Sequence, residues 1–218
     1  MEAVIRTLSL AMILTSFVAV ESRSMRRALY AYMGQALLMV AVISAFATYH
    51  EALALWAGTA LITKFGLISW LLFRALSRGS AEECPPRVGS VTSAVIIGAL
   101  AVGAYALVHS NVSFLAPTPE AETEPYRTNV AVALTLVAVG IYAIVTRRDA
   151  LKVVLGVCLI ENGAHLSLVS LATTMHETVL IGVVTDVVLA VFLLLILIRG
   201  IEERIGSRDT SRLTLLRG

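Results

Sequence analysis

Charge is scarce in this chain, and so are the residues that build most enzyme sites. Only 15% of its 218 residues are Asp, Glu, Lys or Arg, the net charge is +2 and aromatic residues make up 6%. So small a positive excess leaves no nucleic-acid footprint. The two cysteines, Cys84 and Cys158, belong to no CxxC or Cys/His spacing, so isolated free thiols are expected rather than a disulfide or a metal site. A phosphate-cradling glycine loop, a nucleophile elbow and an HExxH helix are also missing. No catalytic centre, cofactor or metal is expected on this chain itself.

Aliphatic residues fill the chain instead. Hydrophobic residues make up 58% of it and the mean hydropathy is +0.86, against about 45–50% apolar in a soluble domain. About 20 apolar residues cross the ~30 Å hydrocarbon core. Seven runs meet that length, at roughly 4–21, 27–48, 52–76, 90–109, 128–146, 150–172 and 178–199. They are continuous, unlike the ~10-residue alternations of barrel strands. The expected fold is therefore all-α, a polytopic membrane protein of about seven transmembrane helices.

Basic residues sort by loop. Fourteen of the seventeen fall in one alternating set: Arg23, Arg26, Arg27, Arg74, Arg78, Arg87, Arg147, Arg148, Lys152, Arg199, Arg204, Arg208, Arg212 and Arg217. Arg6 and Arg127 fall in the other, and Lys64 lies within a span. The positive-inside rule then places the N-terminus outside and the C-terminus in the cytoplasm, in a multi-pass protein of the inner (plasma) membrane. The first run is followed, not preceded, by its main arginines, the reverse of a secretory signal, and reads as a retained helix. Residues 110–127 hold Pro117, Pro119, Pro125, Glu120, Glu122 and Glu124 and read as an outer loop. That loop divides a four-helix part (1–109) from a three-helix part (128–203), with a cytoplasmic tail at 204–218.

Three charges interrupt the spans near mid-depth: Lys64, Glu161 and Asp186. An ionisable group at the bilayer centre costs at least about 2.5–3.5 kcal/mol on insertion scales, which makes each a functional candidate. Helical spacing sets His165 on the face of Glu161, four residues on. Two readings stay open for these groups. They carry a proton or sodium ion across the membrane, or they lock helices through a hydrogen bond or an ion pair such as Glu161 with Lys64. Gly156 and Gly163 are small enough to permit close helix approach. His50-Glu51 and His176-Glu177 read as polar ends of the outer turns. A shift of 126 residues superposes these two pairs, aligns Thr59 with Thr185, and sets Gln35 opposite Glu161. Two readings stay open for this pattern: a parallel internal repeat, or the likeness that apolar helices share through composition alone.

The stretch GVCLIENGAHLSLVSLATT, the following ETVLIGVVTDVVLAVFLLLILIRGIEE, the ALITK of the third run and the tail RDTSRLTLLRG together carry a resemblance. The chain resembles the hydrogenase-4 component E family, membrane subunits of formate-hydrogenlyase-type complexes, over most of its length. Residues 128–203 are also similar to the K subunit of NADH:quinone oxidoreductase and the C subunit of multisubunit sodium/proton antiporters. In the K subunit family, two carboxylates on its second and third helices belong to a buried proton-carrying axis. Glu161 matches the first, and Asp186 lies in the region of the second with a shorter side chain. The resemblance implies a non-catalytic subunit contributing Glu161, Asp186 and Lys64 to an ion path, with His165 and Gln35 in support. It further implies antiporter-like and H-subunit-like membrane partners, and a hydrophilic hydrogenase arm carrying a Ni–Fe centre and iron–sulfur clusters. A free-standing secondary transporter and a purely structural scaffold subunit are the alternatives.

Overall fold

Long apolar runs have one economical solution in lipid, where each backbone N–H and C=O must find its partner inside the same segment. The computed structural model describes residues 1–49, 52–78, 87–116, 118–171 and 177–211, with only the backbone described at 52, 78, 120 and 177–186. Seven long helices run through the described residues. They are α1 (Glu2–Glu21), α2 (Met25–Ala47), α3, α4 (Ser90–Leu115), α5 (Tyr126–Thr146), α6 (Ala150–Leu171) and α7 (Glu177–Ile205). Helix α3 joins an α segment (Ala52–Ala60), a π segment (Leu61–Ile68) and a second α segment (Ser69–Arg78). The first six are each long and apolar enough to cross a membrane. Among the described residues no β-strand occurs, as expected of an all-α fold.

The helix ends fall within a few residues of the expected spans, with one extension at each outer-loop and tail boundary. Helix α4 continues to Leu115, through non-helical dihedrals at Asn111. Val108, Val112 and Ala116 pack with Ala121, Val130 and Ala131, and this burial carries the helix past residue 109. The acidic loop is partly turned inward as well. Glu124 accepts a 2.6 Å hydrogen bond from Thr128 in the first turn of α5 and lies 3.8 Å from His109. Helix α7 likewise runs beyond residue 199 to Ile205.

The closest packing joins α5 and α6. A Cβ on Gly140 would stand 2.6 Å from the Gly156 carbonyl oxygen, and one on Gly163 would stand 2.6 Å from that of Ala133. Gly156 and Gly163 therefore do what their size suggested, and Gly140 completes the seam from the other side. Backbones meet here without intervening side chains, the small-residue mode of association in membranes. Gly98 and Gly103 on α4 have nothing within 4 Å of a built Cβ.

The helices also keep the 126-residue register. Shifted by that amount, α1 becomes 128–147 against Tyr126–Thr146, and α2 becomes 151–173 against Ala150–Leu171. The whole of α3 becomes 178–204 against Glu177–Ile205. One ion pair joins two positions related by the shift, Glu21 and Arg147.

At the end carrying the basic loops, the tail returns to the bundle. The Ala150 amide donates to the Arg208 carbonyl at 3.1 Å and the Thr210 amide to the Arg148 carbonyl at 2.9 Å. Asp149 accepts from the Leu151 amide at 2.9 Å, opening α6. Burial pushes its carboxyl above the ordinary range, against the opposing pull of Arg208.

Two outcomes follow from this packing. Replacing Gly163 by Leu should destabilise the protein by about 1–3 kcal/mol through overpacking of the α5–α6 seam, read as a lower melting temperature in detergent. An unchanged midpoint would contradict the backbone contact. Burial of Asp149 gives the folded chain a pH dependence of definite sign, because its environment favours the neutral carboxyl. The stability it contributes is full below the ordinary carboxylate range and is lost as pH rises through the raised value. Asp149→Asn should flatten that response, read as protection of the Ala150 and Thr210 amides from acid to neutral pH.

Candidate functional site

Lys64 stands in the middle of the π segment of α3. Such segments put an extra residue in a turn and occur mostly where function demands a re-aimed side chain. The Ser69 hydroxyl donates to the Lys64 carbonyl oxygen at 3.2 Å, five residues back. The side chain is buried to 1% exposure. Its ammonium lies 2.7 Å from Glu161 Oε1 on α6 and donates to Asn162 Oδ1, also at 2.7 Å. A lysine too deep to snorkel is thus neutralised in place.

His165 extends this centre, its Nε2 lying 3.1 Å from Glu161 Oε1, as the four-residue spacing predicts. The indole of Trp56, from the first segment of α3, meets the imidazole edge-on at 5.4 Å between centroids. Tyr32 and Cys158, fully buried, pack together about one turn towards the basic-loop end. Several polar atoms around the pair have no protein partner: Glu161 Oε2, Asn162 Nδ2, His165 Nδ1 and Trp56 Nε1. Buried polar atoms are ordinarily paired. A cluster of open donors and acceptors beside an ion pair is suited to exchanging protons or transient ligands.

The other two expected residues stand apart. Gln35, fully buried on α2, donates to Ser16 of α1 at 2.8 Å rather than to the charged pair, and its Oε1 is unpartnered. Asp186 falls within α7, but its side chain lies outside the described residues, as do His50, Glu51, His176 and Cys84. Among the described residues no group of three His, Cys, Asp or Glu is arranged to hold a metal ion.

A second buried network escaped the sequence reading. Glu21, at the end of α1, is bound by Arg147 and by the Ser93 hydroxyl. Tyr142 donates to the Ser93 hydroxyl at 2.6 Å, and Arg147 to the same oxygen at 3.1 Å. Lys152 donates to the carbonyls of Val20 at 2.8 Å and of Ser22, closing the C-terminus of α1. Arg147 and Lys152 are buried and clamp α1, α4, α5 and α6 together. The signal available in sequence was Glu21, an acid beside a cluster of basic residues.

The ion pair makes a prediction about stability. Lys64→Leu alone should cost about 3–5 kcal/mol by leaving the carboxylate uncompensated, and Lys64→Leu with Glu161→Leu should recover most of that loss. Thermal unfolding of the three proteins in detergent checks it, and equal loss in the single and double variants would refute the coupling.

Comparison with known proteins identifies the family. The family described as NADH-ubiquinone/plastoquinone oxidoreductase chain 4L matches residues 129–218, which include α6 and α7. Hydrogenase-4 component E of Escherichia coli K12 is 31% identical over 219 aligned positions, covering 99% of this chain and 98% of that protein. The Shigella flexneri protein of the same name aligns equally well. An uncharacterized protein of Mycobacterium tuberculosis is 26% identical, covering 94% of this chain and 92% of its own length. No solved structure matches at a significant level. With buried charges on apolar helices and a relative matched from end to end, the chain belongs to the hydrogenase-4 component E family.

Proposed function

We propose that this chain is a non-catalytic membrane subunit of a hydrogenase-type, complex-I-related oxidoreductase, and that Lys64 and Glu161 form one station of its proton or sodium path. Membership of the family supports the first part, since the relatives are components of hydrogenase-4 and the 4L-type pattern covers α6 and α7. The second part is carried by one observation. A buried lysine–carboxylate pair, set by a π segment, is surrounded by polar atoms with open hydrogen-bonding capacity.

The chemistry follows from how the pair is held. With Glu161 ionised, Lys64 is drawn to its carboxylate and to Asn162. Protonation of Glu161 removes the Coulombic part of that attraction and leaves Lys64 between two neutral acceptors, the carboxyl and the Asn162 amide oxygen. His165 is within reach to accept or return a proton. Loading and release at this station would alternate the charge seen by neighbouring groups, and so pass a signal or a proton along the membrane plane, with Asp186 as a further station on the reading that the family resemblance implies. Redox chemistry enters from elsewhere, on a hydrophilic arm with Ni–Fe and iron–sulfur centres. Antiporter-like and H-subunit-like membrane chains would adjoin this one. The scaffold alternative is favoured by one fact, that Lys64 is held by two partners at 2.7 Å each.

Glu161→Gln discriminates. It retains an acceptor for Lys64 and His165 while removing the titrating group. The assembled complex in vesicles should translocate ions at least about a hundredfold more slowly, the low end for a lost acid–base group, with normal assembly on native gels. Undiminished translocation by an intact complex would leave the scaffold reading.

A further inference from the structure

At the basic-loop end of the bundle, α3 and α7 enclose a cavity of about 890 Å³. Its walls change character with depth. Phe192, Leu195 and Ile196 of α7 line the inner part, with Trp70 and Leu71 of α3 facing the same cavity, while Arg74 and Arg199 stand towards the helix ends. Phe192 is seven residues from Arg199, about 10 Å deeper along the helix. Arg74 lies over the Trp70 ring, 5.0 Å from its centroid, an aromatic–cation pair typical of the level where hydrocarbon meets headgroups.

The charges favour an anion at the mouth. Three arginines (Arg74, Arg199 and Arg208) and two glutamates (Glu202 and Glu203) line the cavity. Arg208 is buried and 4.0 Å from Glu202, and so is committed to the protein. Arg199 pairs with Glu203 at 2.8 Å, but both side chains are more than 60% exposed, and an exposed pair holds its partner weakly. Arg74 has no carboxylate within ion-pair distance among the described residues. Two guanidinium groups above an apolar slot match an amphiphile with a phosphate head. A polypeptide fits less well, because this volume holds only about two turns of a helix 10 Å across.

We propose that this cavity binds an anionic phospholipid, with its phosphate between Arg74 and Arg199 and an acyl chain along Leu71, Phe192 and Ile196. The site is independent of the Lys64–Glu161 station, and it places an anionic lipid against the helix that carries Asp186.

A photoreactive phosphatidylglycerol tests this on the assembled complex in mild detergent, with crosslinks mapped by mass spectrometry. The segment containing residues 192–199 should be labelled, and unlabelled phosphatidylglycerol should compete better than phosphatidylcholine. In the Arg74→Gln/Arg199→Gln variant, the phosphatidylglycerol concentration that halves labelling should rise roughly 30-fold, since each basic residue near the surface contributes about a fivefold gain. Ile196→Trp, which fills the slot and leaves the arginines, should abolish labelling of that segment. Absence of labelling in the unaltered protein, as when a partner chain fills the cavity, would overturn the proposal. So would equal competition by phosphatidylcholine, competition by inorganic phosphate alone, or labelling that both variants leave unchanged.

Discussion

A charge inside a bilayer needs a countercharge, and the architecture around Lys64 and Glu161 is organised to supply one. Lys64 belongs to α3 and Glu161 to α6, so their 2.7 Å contact fixes how two distant parts of the chain meet. The wider turn of α3 sets the lysine's position, and the Gly140–Gly156 and Ala133–Gly163 contacts fix α6, and with it the carboxylate, against α5. With no hydrophobic drive between helices in lipid, close backbone contact and the paired charge supply the specificity that a water-driven core would give a soluble domain.

The bundle is pinned at two levels by different chemistry. Near mid-depth the pair and its open polar atoms leave room for exchange. At the basic-loop end, Glu21, Arg147, Ser93, Tyr142 and Lys152 bond one another and the carbonyls at the end of α1, while Glu21 Oε2 and Arg147 Nε have no hydrogen-bond partner among the described residues. These links join α1, α4, α5 and α6, so this end is tied across more helices than the Lys64–Glu161 contact ties the middle.

The fold was legible because apolar length is a one-dimensional signal: every long helix was anticipated, and the end missed at Leu115 is a place where tertiary burial outlasts the apolar run, while α7 runs on to Ile205 through residues that stay half-buried or exposed. Lys64, Glu161 and Asp186 stood out against aliphatic surroundings, and the i, i+4 spacing alone brought His165 to the carboxylate. The π segment left no mark in LITKFGLI, because its hydrogen-bond spacing answers to neighbouring helices more than to residue type. Gln35 was aligned with Glu161 by the 126-residue shift, yet a shift relates positions and says nothing of contacts; the amide bonds Ser16 instead. Arg147 and Lys152 were hidden by the rule that made orientation readable. Counting basic residues by loop treats them all as solvated, and burial of these two depends on acceptors contributed by α1.

The separation of Lys64 and Glu161 along the chain also has a consequence in time. Glu161 follows Lys64 by 97 residues, so at synthesis rates of about 5–20 residues per second the lysine emerges roughly 5–20 s before its carboxylate. During that interval α3 is a helix with an uncompensated charge at its centre, poorly suited to lie alone in lipid. Its stable burial must await α6, or rely on shelter at the insertion machinery. The ion pair that completes the finished bundle therefore also sets the order in which the bundle can be built.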